Sequence, residues 1–508
     1  MKIVYRGDSV DCLQLEWGKN PEKIAFSYKD VKLTYQELQN QINEQIEFLR
    51  SIGIEEKTHV ALKISNPICY CVHFLALWIM EATIIPIDTQ ISGNGLDQLL
   101  LESDAEFFFS DSIEITLDEM QKQSVDRGNL RSIIVYQNGV KERVDLSVQR
   151  KIVYWENREG IQAEGGFILL FTSGTSGNGK AKGVLIKKEN FLNNVKKVVE
   201  YTELTSEDSI LLTLPLTYCF ALSQLLAHIM VCGTCYFSQG ARVSYHVLDE
   251  IEKYQVTNYA TTPYFFETVE KTYIDKENYK FEHLRFIMSA GSYLSQEIIK
   301  HLKECFGNVV LFNNYGQTEA SPRISYNKIC TIEDDIASVG KPLKGVEIAI
   351  FDEDGKQIHD GSIGIIGYRS EDAMEGYYKR TIVDKTGFIL SGDLGYLNEE
   401  GKLFIKGRKD SMIKVNGRKV YKNVIEDALY TLDCVKSIRI KKERHMQYGE
   451  YFAAYIVLNE NCQKGEALKE IRTYCKKHFD KVSRPKKYII CERFELNSNQ
   501  KVIIKEEQ

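Results

Sequence analysis

The sequence contains no apolar run long enough to cross a bilayer. The longest, ICYCVHFLALWIM at residues 68–80, includes His73 and is followed by Glu81. A membrane span needs roughly 18 apolar residues or more, so this stretch reads as a buried helix, and no membrane span is expected. The start, MKIVYRGDSV, lacks the apolar core of a secretory signal. Without export, the 12 scattered cysteines read as reduced thiols of a cytoplasmic protein. Cys232 and Cys235 have CxxC spacing, but no second pair accompanies them as a zinc site requires. They close an apolar run, and core packing is the expectation for both. Internal repeats, low-complexity tracts and long linkers are absent as well. The net charge of −6 gives no sign of a nucleic-acid partner. It is unevenly spread: residues 411–508 hold 21 Lys and Arg against 13 Asp and Glu, a local +8, which leaves −14 on the rest. A solvated lysine-rich surface, an acidic partner or a phosphorylated ligand would each suit that basic tail.

The 508 residues, 43% hydrophobic and 27% charged, describe a soluble chain of two or more domains with material for a large core. LTYQELQNQINEQIEFLRSIG has helical apolar spacing and stops at Gly53. HVALKIS then reads as a strand, 68–80 as a helix and TIIPID as a strand. GFILLFTSG, SILLTLPL, NYATTPYFFETVEK and LRFIMSAG continue the alternation. Such alternation predicts layered α/β structure with largely parallel sheets, in which ligands bind where loops leave the carboxyl ends of strands. Beyond about residue 340 the pattern becomes hairpin-like, with turns at Asp354-Gly355, Glu400-Gly401 and Asn416-Gly417. From about 411 it reads as a small α+β unit. The expected division is a large N-terminal domain, 1–409, with a β-rich subdomain, and a small mobile C-terminal domain, 410–508, joined by a short charged hinge.

One loop concentrates phosphate-binding chemistry. Residues 171–184 read FTSGTSGNGKAKGV. Backbone N–H groups of glycine-rich turns wrap phosphate oxygens, and hydroxyls add donors. Gly174, Gly179 and Lys180 imitate a Walker loop, but that loop needs a Ser or Thr next, for magnesium. Ala181 stands there, which argues against a Walker reading.

The fuller string, TSGTSG followed by KGV, resembles the signature of the adenylate-forming superfamily. That superfamily includes acyl- and aryl-CoA synthetases, nonribosomal peptide synthetase adenylation domains and firefly luciferase. NNYGQTEAS at 313–321 is similar to its Tyr-Gly-x-Thr-Glu motif, and SGDLGYLNEEGKLFIKGRKDSMIKVNGRKV at 391–420 to its longest block. LTYQELQNQ, MSAGSYL, YKNVIE and Lys501 fit the same order, from about residue 25 to 505. The resemblance implies ATP-dependent activation of a carboxylic acid as an acyl-adenylate, then transfer to a thiol. Such chemistry needs no protein nucleophile, only neutralised phosphate charge and aligned reactants.

By the same resemblance, Thr172, Ser173, Gly174, Thr175, Ser176 and Gly177 would cradle the β- and γ-phosphates, with Lys182 as the loop lysine. Glu319 would hold Mg2+, with Thr175 or Thr318 nearby. Ser289, Ala290, Gly291 and Ser292, with Asn314 and Tyr315, would flank the adenine, and Gly316 and Gln317 would also bind the nucleotide. Asp393 would accept the ribose hydroxyls, and Arg408 would hold ribose or phosphate. Asp410 matches the hinge, Lys501 the lysine that bridges carboxylate and α-phosphate, and Gly417 the loop that meets the thiol arm.

The sequence departs from the family pattern in places. Two extra residues precede KGV, which leaves Lys180 as an alternative to Lys182. The proline usual before the loop lysine is replaced by Ala181, and Gln500 replaces the glycine usual before the C-terminal lysine. Candidate acyl-pocket walls are Tyr218, Phe220, Ala221, Pro263 and Ala290. No carboxylate lies around Phe220 to Ser223 to pair with a substrate ammonium, and a buried unpaired ammonium is costly. A fatty or aryl acid without an α-amino group is therefore expected. The acceptor is expected to be CoA, with the phosphopantetheine of an acyl or aryl carrier protein as the alternative. A nucleotide-binding relative without activity is the third reading.

Overall fold

The computed structural model describes residues 17–111, 132–137, 140–145, 166–172, 182–239, 244–270, 279–409, 412–415, 418–445, 449–460, 462–481, 483–497 and 501–504. The chain forms two compact units. One comprises Met1–Gln239, Thr318–Pro322 and Glu371–Lys385, and the other Gly240–Gln317, Arg323–Ser370 and Thr386–Gln508.

In the first unit, the described residues form a nine-stranded sheet. Its centre is a parallel run in which His59–Lys63 lies between Thr83–Pro86 and Phe107–Ser110. These strands are buried on both faces, which is why they read as continuous apolar runs rather than alternating ones. Leu169, Ile85, Ala61 and Phe108 meet in one core with Leu96 and Leu100 of the helix Asn94–Glu102. The other edge turns antiparallel: Phe167–Thr172 pairs with Lys182–Lys187, which pairs with the short strand Gly376–Tyr377. Four further strands, Ser209–Leu212, Thr234–Phe237, Ile24–Tyr28 and Val31–Thr34, pair in that order.

The helices follow their local signals. Thr34 caps Tyr35–Ser51 in a capping box with Glu37. Leu38, Ile42, Ile46 and Leu49 form its buried stripe. Asn66 caps Pro67–Ile79, with proline at the first turn. This is the apolar stretch at 68–80, and it is a buried helix as its sequence implied. No helix among the described residues is long and apolar enough to cross a membrane. Cys232 and Cys235 are both fully buried, which matches core packing.

The second unit contains three parallel strands, Asn258–Thr261, Phe286–Ser289 and Val310–Gly316. The last continues antiparallel into Arg323–Ile329. A five-stranded antiparallel sheet follows, ordered Gln357–Ile358, Val346–Phe351, Gly364–Ser370, Ile389–Leu397 and Leu403–Arg408. Beyond it, Val435–His445, Gly449–Leu458 and Lys487–Cys491 make a three-stranded sheet, with the helices Lys422–Tyr430 and Lys464–His478. The mixed α/β class, with a β-rich part and an α+β tail, is as the alternation implied.

Candidate active site

The glycine-rich loop connects two antiparallel strands. Phe167–Thr172 leads into it and Lys182–Lys187 returns from it. Thr172 and Lys182 face each other in register, and Thr172 Oγ1 donates to the Lys182 carbonyl at 3.4 Å. The loop ends are therefore held one strand spacing apart. A side chain at Gly183 would meet Leu169 Cδ1 at 2.9 Å, so the KGV glycine admits close packing of the hairpin. Lys182 is the first residue of the returning strand, and its Nζ lies 5.1 Å from the centre of the Tyr377 ring. Ser173, Gly174, Thr175, Ser176, Gly177 and Lys180 lie outside the described residues, as do Asp410 and Gly417.

Thr318, Glu319 and Ala320 form a short 3-10 turn in the same unit. Its backbone is tied down twice: Met374 N–H donates to the Glu319 carbonyl at 2.9 Å, and Asn194 Nδ2 to the Ala320 carbonyl at 3.3 Å. The Glu319 carboxylate accepts a 2.9 Å bond from the Tyr377 hydroxyl. Thr318 Oγ1 lies 3.3 Å from the Cys219 thiol. Cys219 opens the helix Cys219–Met230, with Tyr218 at its N-cap. Phe220 and Ala221 are buried there, and the Tyr218 and Phe220 rings meet edge to face at 6.2 Å. The apolar body of this helix is what leaves it without a carboxylate.

The second unit builds a different cluster. Asp393 on Ile389–Leu397 faces Arg408 on Leu403–Arg408 in register, with Arg408 Nε 3.8 Å from Asp393 Oδ1. The Tyr315 hydroxyl donates to Asp393 Oδ2 at 2.8 Å. Burial pushes the Tyr315 phenol well above its ordinary pKa, and the neighbouring Asp393 charge adds to this. The phenol therefore stays a neutral donor. The strand register shifts between Tyr315 and Gly316, a bulge of the kind that re-aims a side chain beside a site. Gln317 Nε2 donates to the Tyr368 hydroxyl at 3.1 Å, and Asn314 Nδ2 to the Phe312 carbonyl at 3.1 Å. Ala290 is buried, Gly291 takes a left-handed φ of 90°, and Ser292 is exposed. Pro263 opens the helix Pro263–Glu270. Lys501 stands just before the strand Val502–Ile503, and its N–H bonds Asn497 Oδ1 at 2.9 Å.

Of the residues named from sequence, the fold thus gathers Lys182 and Glu319 about one tyrosine, and Tyr315 and Arg408 about Asp393. Sequence reasoning overlooked Tyr377. No periodicity marks it, and the glycine before it is its one sequence signal.

Comparison with known proteins identifies this set of motifs. Residues 13–378 match the family model for AMP-binding enzymes. The chain belongs to the AMP-binding enzyme family. As an AMP-binding enzyme it is an adenylate-forming, acid-activating ligase. Among similar AMP-binding proteins is the putative acyl-CoA synthetase YngI of Bacillus subtilis, 25% identical over 95% of this chain and 93% of that protein. The 2-succinylbenzoate–CoA ligase of the same organism is also 25% identical, over 95% and 94%. Among solved structures, the anthranilate CoA ligase AuaEII in complex with anthranoyl-AMP shares the fold. Its TM-score is 0.83 at 20% identity, covering 99% of this chain and 97% of that one.

Proposed function

We propose that this AMP-binding enzyme joins a carboxylic acid, apolar or aromatic in body and without an α-amino group, to CoA through an acyl-adenylate. A carboxylate oxygen attacks the α-phosphorus and the bond to pyrophosphate breaks. The thiol sulfur then attacks the acyl carbon, and AMP leaves. The observation that carries the reading is the Thr172–Lys182 hairpin, which closes a loop rich in glycines and hydroxyls and ends it on a lysine. The apolar start of the helix Cys219–Met230 supports an acid without an ammonium group, and Tyr218, Phe220, Ala221, Pro263 and Ala290 are proposed as its pocket walls. CoA–ligase names among the relatives support a CoA acceptor.

In this reading Thr172, Lys182 and residues 173–177 bind the β- and γ-phosphates. Ser289–Ser292, Asn314 and Tyr315 flank the adenine, Gly316 and Gln317 also bind the nucleotide, and Asp393 and Arg408 hold the ribose. Lys501 steadies the charge that builds on the α-phosphate. Asp410 serves as hinge, and Gly417 lies in the loop that meets the thiol arm. Among the described residues, no group of three or more His, Cys, Asp or Glu side chains could hold a metal by itself. Magnesium needs no such cage, because it is commonly bound through one or two carboxylates plus substrate phosphates. Glu319, with the Thr175 or Thr318 hydroxyl, fits that pattern, and the ion would supply charge neutralisation at the phosphates. None of the cysteines among the described residues is in a disulfide, which supports a cytoplasmic location. The +8 tail also suits an acidic carrier protein, whose phosphopantetheine is the second acceptor to test.

Carboxylate-dependent ATP–pyrophosphate exchange over fatty, aryl and amino acids tests the first step, and AMP release with CoA or holo-carrier tests the second. Lys501→Ala is expected to lower adenylation by about 100-fold or more, while thioester formation from supplied adenylate changes far less. Equal losses in both steps would remove Lys501 from its role. Failure of every acid to support exchange would sink the reading as a whole.

A further inference from the structure

Tyr377 touches both charged groups of the hairpin cluster, each through a different part of its side chain. The ring lies under the Lys182 ammonium at 5.1 Å, and the hydroxyl donates to Glu319 Oε1 at 2.9 Å. The backbone holds the residue in place. Tyr377 pairs with Val184 across the antiparallel strands, one strand from the loop. Gly376 admits no side chain, because a Cβ would stand 2.0 Å from the Thr381 carbonyl oxygen. The preceding stretch of chain is fixed as well, by the Met374 N–H on the Glu319 carbonyl. Thus the carbonyl of Glu319 is held by one residue of this segment and its carboxylate by another.

We propose that Tyr377 is a positioning residue for nucleotide binding: its hydroxyl presents the Glu319 carboxylate in one orientation, and its ring parks the Lys182 ammonium beside the loop. This rests on the roles of Glu319 and Lys182 proposed above. A phenol suits both tasks. As a neutral donor it bonds a carboxylate without cancelling its charge, so Glu319 keeps its full charge for a cation. An aromatic face holds an ammonium with a strength that phosphate oxygens exceed, so Lys182 is released when phosphate arrives.

The test is calorimetric titration of ATP into the full chain, with and without Mg2+, for the native protein, Tyr377→Phe and Glu319→Gln, with melting curves for each. Tyr377→Phe keeps the ring and loses the hydroxyl. It is expected to lose about fivefold of the affinity that Mg2+ adds, with metal-free ATP binding and melting temperature unchanged. In exchange assays the same variant should show its loss in KM for ATP rather than in kcat. If Glu319→Gln loses the Mg2+ gain and Tyr377→Phe keeps it, the positioning role of Tyr377 is wrong while Glu319 stands. If Glu319→Gln keeps the gain, the metal assignment itself falls. An equal drop in metal-free and metal-loaded binding for Tyr377→Phe would reduce the residue to a structural one.

Discussion

The cluster around Tyr377 and the cluster around Asp393 treat opposite charges differently. At Tyr377, an aromatic ring and its hydroxyl each hold one charge, Lys182 and Glu319, without either cancelling the other. At Asp393, a carboxylate faces a guanidinium directly across a hairpin at 3.8 Å, with a phenol on its second oxygen. The Arg408 side chain is 44% exposed, and an ion pair with one partner so open to solvent contributes little stability. The first arrangement suits charges that exchange partners when phosphates and a cation arrive. The second suits a fixed acceptor for neutral hydroxyls. In the proposed function, the Asp393 cluster is expected to set the affinity for AMP, and the Tyr377 cluster the extra affinity of ATP over AMP.

Asp393→Ala should break this contrast most severely. It is expected to weaken AMP and ATP equally, by about 100-fold or more, because two charge-assisted bonds are lost at about 1.5–3 kcal/mol each. Loss confined to ATP would reverse the comparison. Lys182→Ala should weaken ATP by about tenfold and leave AMP unchanged. Equal weakening of both nucleotides would deny the hairpin its phosphate role. Tyr315→Phe, which removes only the hydroxyl on Asp393, should weaken both nucleotides by about threefold, read by the same titrations.

The smallest effect on binding is expected at the opposite end of the Lys182 strand. Lys188 is buried, and its Nζ donates to the Leu77 and Trp78 carbonyls at 3.2 and 3.0 Å. Burial pulls its amine down to about 7, partly opposed by Glu81. The unfolded chain therefore binds this proton more readily than the folded one between pH 7 and the ordinary lysine value of 10.5. Stability should rise with pH across that window. Lys188→Met should flatten the rise in denaturant melts while nucleotide binding stays as it was, and an unaltered slope would show that Lys188 does not titrate there.

The helix Tyr35–Ser51 was legible because its apolar stripe is local, and the glycine-rich loop stood out because its composition is unusual over a few residues. Motif order singled out Glu319, Asp393 and Arg408 as candidates. Tyr377 was not, since its meaning depends on a strand pairing with Val184, nearly 200 residues earlier. The buried contacts of Glu267 with Ser437 and Arg439, at 2.6 and 2.8 Å, were hidden for the same reason. Nothing near residue 267 announces partners about 170 positions away.

By itself, the order of residues determined the class of fold and the family, because apolar periodicity and short motifs act over local stretches of chain. Only the tertiary structure decided which tyrosine stands between Lys182 and Glu319, and which oxygen of Asp393 meets Tyr315. Such contacts are settled by the register of strands brought together by burial of their apolar faces, and register is a property of the pair rather than of either strand.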